Sequence, residues 1–133
     1  MTMRFVLVDD NSRFLRAARS LLEKQGIAVV GVASTGDEAL RRAEELRPDV
    51  LLVDIDLGSE SGFDVTRRLT TAGAANVILI STHAEQDFAD LIAASPAVGF
   101  ISKSDLSAGS IHQVLKNQTG TRSRRPSQPE EPP

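Results

Sequence analysis

Five short apolar runs, separated by amphipathic stretches, set the pattern of this chain. The runs are rich in β-branched residues and do not alternate with polar residues, which is typical of strands buried on both faces of a parallel sheet. They comprise residues 5–8, 27–32, 50–53, 77–80 and 98–101. The pattern therefore predicts five parallel strands.

The stretches between the runs have the spacing of amphipathic helices. The first carries apolar residues at helical intervals, and Gly26 follows it as a stop signal. Thr35 and Glu38 have the spacing of a capping box at the start of the second helix, and Pro48 ends it. Three more helices are predicted, around residues 62–72, 85–94 and 106–117. Strands alternating with helices in this way predict a doubly wound α/β domain with helices on both faces of the sheet.

The composition changes near residue 117. Four of the six prolines lie in the last eight residues, and residues 118–133 contain no Val, Ile, Leu, Met or Phe. Such a segment buries too little apolar area to offset its ordering entropy. We therefore expect one folded domain over residues 1–117, followed by a disordered tail over 118–133 that contains Pro, Arg and Glu.

Composition excludes several classes of protein. The absence of Cys removes disulfides, thiolate metal sites and cysteine nucleophiles. The net charge of -3 argues against nucleic acid as a partner, because duplex binding depends on a basic face. No apolar run approaches the roughly 20 residues of a membrane helix, so no membrane partner is expected. The N-terminus leads directly to Asp9 and Asp10 rather than to a signal peptide, which favours a cytoplasmic protein.

Polar residues follow four of the five predicted strands at the point where each strand ends. Since ligands of open α/β sheets bind at the carboxyl ends of parallel strands, these residues are expected to meet at one edge. Grouped carboxylates repel one another, and a hard divalent cation, best Mg²⁺, relieves that repulsion. The residues are Asp9, Asp10, Asp54, Asp56, Ser81, Thr82, Ser102 and Lys103.

Taken together, these groups are suited to phosphoryl transfer. A metal ion and a lysine neutralise charge on phosphoryl oxygens, and a free carboxylate can attack phosphorus to form an acyl phosphate. Each residue alone has a simpler interpretation, such as a turn, a helix cap or a surface charge. Their common location at one edge of the sheet favours a role in phosphoryl transfer.

The pattern resembles the receiver domain of two-component response regulators over residues 3 to about 117. The motifs are Val8-Asp9-Asp10-Asn11, Leu52-Val53-Asp54-Ile55-Asp56-Leu57 with Ser61-Gly62, Ile80-Ser81-Thr82, and Gly99-Phe100-Ile101-Ser102-Lys103. The resemblance implies a flavodoxin-like sheet of strand order 2-1-3-4-5. It also implies that Asp54 accepts a phosphoryl group from a sensor histidine kinase or a phosphotransfer protein.

The same resemblance implies a role for each site residue. Asp10 and Asp54 would ligate Mg²⁺ directly, Asp9 mostly through water, and Asp56 through its backbone carbonyl. Ser81 and Lys103 would contact the phosphoryl oxygens. Ser81 and Phe100 would form a switch that carries the signal to a downstream protein, and Thr82 and His83 would modulate loss of the phosphoryl group.

Two positions depart from the family pattern. Gly58 replaces the proline usual four residues after the acceptor, which predicts a more flexible loop. Ser104 replaces the proline that often follows the lysine with a cis bond, so a trans bond is expected between Lys103 and Ser104.

Three alternatives remain at this point. One is a phosphatase of the haloacid dehalogenase type, with Asp54 and Asp56 as nucleophile and acid. Another is a receiver-like interaction module that is not phosphorylated. A flavin- or nucleotide-binding protein is disfavoured, because no Gly-rich loop follows the first strand. Under the favoured interpretation the chain is expected to be a stand-alone regulator, not an enzyme acting on other substrates, and a homodimer is compatible with it.

Overall fold

The computed structural model describes residues 3–127, and its centre is a five-stranded parallel sheet. The strand order is β2-β1-β3-β4-β5, so the predicted fold class and the flavodoxin-like order are confirmed. The strands are β1 (Arg4–Val8), β2 (Ala28–Ala33), β3 (Val50–Asp54), β4 (Asn76–Ser81) and β5 (Gly99–Ser102).

Five helices connect and follow the strands. They are α1 (Ser12–Lys24), α2 (Gly36–Leu46), α3 (Gly62–Thr71), α4 (Ala89–Ala94) and α5 (Ala108–Ser127). The helix expected over residues 85–94 differs from the prediction, because it begins with a 3-10 segment, Glu85–Phe88, before α4. Phe88 has φ −129° and ψ 23°, outside the α-helical region, and this divides the segment. A second 3-10 segment, Lys103–Asp105, follows β5.

Apolar residues of the sheet are buried on both faces. In β1, Phe5 and Leu7 pack into a cluster with residues of α1 and α5, whereas Val6 and Val8 pack into a second cluster with residues of α2 and α3. All five residues of β3 are buried. This explains why polar residues do not alternate with apolar residues along the strands. Polar side chains of the sheet can therefore reach solvent only at the ends of the strands.

Side-chain caps start the first two helices and fix the loops that precede them. Asn11 is the cap of α1, and its side chain accepts a 3.1 Å hydrogen bond from the N–H of Phe14. Thr35 accepts a 3.1 Å bond from the N–H of Glu38, as the capping box predicts. A capping box also predicts that the Glu38 carboxylate accepts from the N–H of Thr35. This part was wrong, since the carboxylate accepts a 2.7 Å hydrogen bond from the N–H of Ser34 instead.

The last helix, α5, has a helical backbone from Ala108 to Ser127. The folded domain over residues 1–117 and the disordered tail over 118–133 stay predictions. Residues 128–133 of that tail lie outside the described residues, for which disorder stays a prediction. Among the helices of residues 3–127, none is long and apolar enough to cross a membrane.

Candidate functional site

The carboxyl ends of the strands bring the predicted polar residues to one edge of the sheet. Asp54 and Ser81 are the last residues of β3 and β4, and Asp9 directly follows β1. Lys103 begins the 3-10 segment after β5. The parallel order places β1 and β4 on either side of β3, so Asp54 lies at the centre of this edge.

Three carboxylates form an acidic cluster within this edge. Asp9, Asp10 and Asp54 each offer a carboxylate oxygen, and these oxygens all lie within 4.8 Å of one another. Asp9 is fully buried and Asp54 is 6% exposed, whereas Asp10 is exposed. Carboxylate oxygens so close together, open to solvent on one side, are a ligand set that fits Mg²⁺.

Lys103 supplies the positive charge at the cluster. Its Nζ lies 2.6 Å from Asp9 Oδ2 and 3.3 Å from Asp54 Oδ2. Burial alone lowers the pKa of the Lys103 ammonium, but the hydrogen bonds and charges of Asp9 and Asp54 raise it above its ordinary value. Lys103 is therefore a permanent cation between two buried carboxylates.

The ionisation of Asp54 is opposed by its surroundings. Burial, followed by the negative charge of Asp9, raises the pKa of Asp54 from 3.8 to about 6, although Lys103 acts in the opposite direction. A single ammonium thus compensates the cluster only in part. A cation would therefore bind favourably beside these carboxylates.

The two oxygens of Asp9 are held differently. Oδ1 accepts a 2.8 Å hydrogen bond from the N–H of Asn11. Oδ2 is fully buried and, within the described residues, it is the one buried side-chain oxygen without a partner at hydrogen-bond geometry, its close contact being the ion pair with Lys103. A buried carboxylate oxygen whose one close contact is an ion pair, beside two other carboxylates, is a second observation that fits a cation site.

The loop after Asp54 differs from a rigid proline loop in its conformation. Gly58 has φ +80°, a value that proline, fixed near −65°, cannot adopt. A Cβ at Gly58 would lie 3.0 Å from Asp10 Oδ2, so glycine lets the loop backbone approach the acidic cluster. The side chain of Asp56 accepts a 3.0 Å bond from the N–H of Gly58, which fixes the turn. Asp56 as a metal ligand through its carbonyl stays a prediction.

Ser81 and the two residues after it lie beside the cluster. Ser81 is 3% exposed, and its Oγ accepts a 3.0 Å hydrogen bond from the N–H of His83. The imidazole of His83 packs edge-on against Phe88, with ring centroids 5.6 Å apart. Thr82 and His83 are exposed in the loop. Ser81 therefore ends the strand next to Asp54, one residue after Ile80, the backbone partner of Asp54, and the two following residues are exposed.

The remaining predicted positions lie on β5 and just after it. Phe100 is half-buried and packs against the cluster of α2 and α3 residues. Ser104 is exposed, and its Oγ lies 3.1 Å from Ser102 Oγ. No peptide bond among the described residues 3–127 is cis, so the expected trans bond between Lys103 and Ser104 is confirmed.

Three residues of this region were not among the predicted site residues. Asn11 connects Asp9 to the start of α1, Phe14 contacts Lys103, and Glu60 holds the loop after Asp54. An Asn three residues before a helical N–H is a recognisable cap signal. Phe14 and Glu60 carry no local signal, because their contacts join segments distant in sequence.

Comparison with known proteins gives a consistent result. Residues 5–116 match the family model of the response regulator receiver domain. The chain is 34% identical to the response regulator GacA of Pseudomonas viridiflava over 101 residues, which are 74% of this chain and 47% of GacA. It is 34% identical over 85 residues to a protein-glutamate methylesterase/protein-glutamine glutaminase of Koribacter versatilis, covering 63% of this chain and 23% of that protein. The chain therefore spans about half or less of the length of these relatives.

A solved structure extends the similarity to the fold. A response regulator of Burkholderia pseudomallei, crystallised with a phosphorylated aspartic acid, a calcium ion and citrate, superposes with a TM-score of 0.75 at 26% identity. The superposition covers 98% of this chain and 75% of that one.

Proposed function

Because the chain belongs to the family of response regulator receiver domains, we propose that Asp54 is the residue that accepts a phosphoryl group in a two-component phosphorelay. One observation carries the proposal. The carboxylates of Asp9, Asp10 and Asp54 converge within 4.8 Å while the Lys103 ammonium lies 3.3 Å from Asp54 Oδ2. This is the charge distribution that a phosphoryl group and a divalent cation require together.

The reaction needs a nucleophilic carboxylate. An Asp54 oxygen attacks the phosphorus of a phosphohistidine on the donor, the P–N bond breaks, and its electron pair stays on the imidazole nitrogen. The new P–O bond makes an acyl phosphate on Asp54. A carboxyl with a pKa of about 6 is deprotonated in most molecules at pH 7, so Asp54 is ready to attack. Lys103 neutralises charge on the phosphoryl oxygens.

The residues that would hold Mg²⁺ are Asp9, Asp10 and Asp54, with the backbone carbonyl of Asp56 as a further predicted ligand. When bound, Mg²⁺ offsets the negative charge that phosphoryl transfer concentrates at this edge. The buried Asp9 Oδ2 and the raised pKa of Asp54 support this assignment. The match of residues 5–116 to the receiver-domain family model favours this assignment over a phosphatase of the haloacid dehalogenase type.

The switch is proposed to involve Ser81 and Phe100. Ser81 Oγ accepts a hydrogen bond from the N–H of His83, and Ser81 ends the strand that pairs with that of Asp54, so a phosphoryl group on Asp54 would offer it a competing partner. Phe100 is half-buried on the adjacent strand and can repack when Ser81 moves. We propose that the donor is a sensor histidine kinase or a phosphotransfer protein, that the output is contact with a downstream protein, and that Thr82 and His83 modulate loss of the phosphoryl group.

The test is intact mass after incubation with Mg²⁺ and acetyl phosphate. We expect one phosphoryl adduct on the parent protein, none after chelation of divalent cations, and none on Asp54→Asn. Asp90→Asn is the matched control, because Asp90 is exposed on α4 and should be phosphorylated normally at Asp54. An adduct that persists in Asp54→Asn, or repeated release of inorganic phosphate from small phosphate esters, would contradict the proposal.

A further inference from the structure

We propose that Phe14 is a positioning residue for Lys103, holding its ammonium against the phosphoacceptor cluster through a cation–π contact. The inference rests on the proposed function, because it concerns the geometry of Lys103 at Asp54. The Nζ of Lys103 lies 4.1 Å from the centroid of the Phe14 ring. This distance is within the range of an attractive cation–π interaction.

The environment of the ammonium makes this contact significant. The Lys103 side chain is 13% exposed, so water can solvate its charge only in part. Its close contacts include the two carboxylates of Asp9 and Asp54 and the ring of Phe14. A cation–π contact is stronger when the cation is desolvated, and the ring is the one neighbour of the three that is uncharged.

The backbone position of Phe14 is fixed by hydrogen bonds that lead to the acidic cluster. The N–H of Phe14 donates to the side chain of Asn11, and the N–H of Asn11 donates to Asp9 Oδ1. Lys103 connects the two ends of this chain of contacts, because it forms an ion pair with Asp9 Oδ2 and lies over the Phe14 ring. The cap of α1 thus sets the position of the aromatic ring relative to the acidic cluster. Displacing either one would move the other.

The contact gives the Lys103 ammonium an anchor that does not depend on either carboxylate. The ammonium lies closer to Asp9 than to Asp54, at 2.6 Å against 3.3 Å. A phosphoryl group on Asp54 would draw it away from Asp9. The Phe14 ring attracts the ammonium in either arrangement, so it limits the volume that Nζ explores. Without the ring, the flexible stem of Lys103 would allow the ammonium to leave the cluster for solvent.

The experiment separates this role from simple packing. Phe14→Leu keeps apolar volume and removes the aromatic face, whereas Phe14→Tyr keeps the face. Phe5→Leu is the control for lost aromatic volume, because Phe5 is 1% exposed in the same core cluster that Phe14 packs against. Two quantities are measured, namely the rate of adduct formation with acetyl phosphate and the NMR signals of the ε-methylene protons in ¹³C-lysine-labelled protein. The chain contains only Lys24, Lys103 and Lys116, so these signals are few.

We expect an upfield ring-current shift for the Lys103 signal in the parent and in Phe14→Tyr, lost in Phe14→Leu and kept in Phe5→Leu. The phosphorylation rate should fall about three- to tenfold in Phe14→Leu and recover in Phe14→Tyr. An unchanged Lys103 signal in Phe14→Leu, or equal rate losses in Phe14→Leu and Phe5→Leu, overturns the inference. A parent that takes no phosphoryl group while showing the shifted signal would instead overturn the proposed function, and with it the reason for positioning Lys103.

Discussion

The carboxylate of Glu60 accepts a 2.8 Å hydrogen bond from the backbone N–H of Gly36, which joins the loop after Asp54 to the start of α2. Arg68 of α3 lies beside this contact, with its guanidinium 2.7 Å from Asp37 and 3.8 Å from Glu60. Since Gly58 gives the loop no proline restraint, the Glu60 contact is what ties the loop to a neighbouring helix.

Gly36→Ala tests this connection. A Cβ at Gly36 would lie 2.6 Å from Glu60 Oε1 and 2.8 Å from Val65 Cγ2, and Val65 is fully buried. We expect the free energy of unfolding to fall by about 1–2 kcal/mol in urea denaturation, because overpacking forces the loop or the helix to shift. The rate of backbone amide hydrogen exchange should increase in residues 57–61.

Gly109→Ala is the matched control for that substitution. Gly109 is exposed in α5, and a Cβ there would meet nothing closer than Ser107 Oγ at 3.6 Å. Alanine is favoured over glycine in a helix by about 1 kcal/mol, so this variant should be as stable as the parent or more stable. Equal behaviour of the two variants would show that Glu60 does not hold the loop.

Asp54→Asn should stabilise the protein when divalent cations are removed. Burial and the charge of Asp9 raise the pKa of Asp54 from 3.8 to about 6, so its ionised form destabilises the folded state. One pKa unit corresponds to about 1.4 kcal/mol, and partial solvation reduces the full shift to a gain of about 1–2 kcal/mol at pH 7. Urea denaturation in the presence of EDTA measures this gain.

The pH dependence of that gain has a defined sign. The folded parent binds more protons than the unfolded chain between pH 3.8 and about 6, so its stability falls as pH rises through this window. The advantage of Asp54→Asn should therefore be greatest above pH 6 and disappear below pH 4. The control is Asp90→Asn, which removes an exposed carboxylate on α4 that is not part of the acidic cluster. A gain that grows towards low pH would contradict the account.

Lys103→Met should strengthen Mg²⁺ binding. The ammonium lies within ion-pair distance of Asp9 and Asp54 and repels a second cation at the same cluster. Removing one positive charge at this range should tighten Mg²⁺ binding by about three- to tenfold in isothermal titration calorimetry. Lys24→Met, at the exposed end of α1, is the control and should leave the affinity unchanged. Weaker binding in Lys103→Met would mean that the ammonium organises the cluster instead of competing for it.

The parallel sheet and the location of the acidic residues followed from the sequence for physical reasons, whereas the strand order came from the family resemblance. Unbroken β-branched runs are typical of strands buried on both faces, and parallel strands bring their carboxyl ends to one edge. Asp9, Asp54, Ser81 and Lys103 stand within one residue of such ends, so their convergence follows from the topology. Their roles in phosphoryl transfer came from the resemblance and remain proposals.

What the sequence did not predict depends on contacts between distant segments and on backbone conformation. The ring of Phe14 reaches Lys103 because α1 and the end of β5 border the same core cluster, and in the sequence Phe14 was one more apolar helix residue. The Glu60 carboxylate accepts a hydrogen bond from the N–H of Gly36, which belongs to a segment distant in sequence. The φ of +80° at Gly58 and the division of the fourth helix at Phe88 are conformational outcomes that residue type alone leaves open.

The most direct measurement of the central claim is to locate the acyl phosphate. The parent protein, incubated with Mg²⁺ and acetyl phosphate, is treated with borohydride, which reduces an aspartyl phosphate to homoserine, and is then digested and sequenced by mass spectrometry. The account predicts homoserine at position 54 alone, absent without the phosphoryl donor. Homoserine at Asp9, Asp10 or Asp56 with none at position 54 would contradict it.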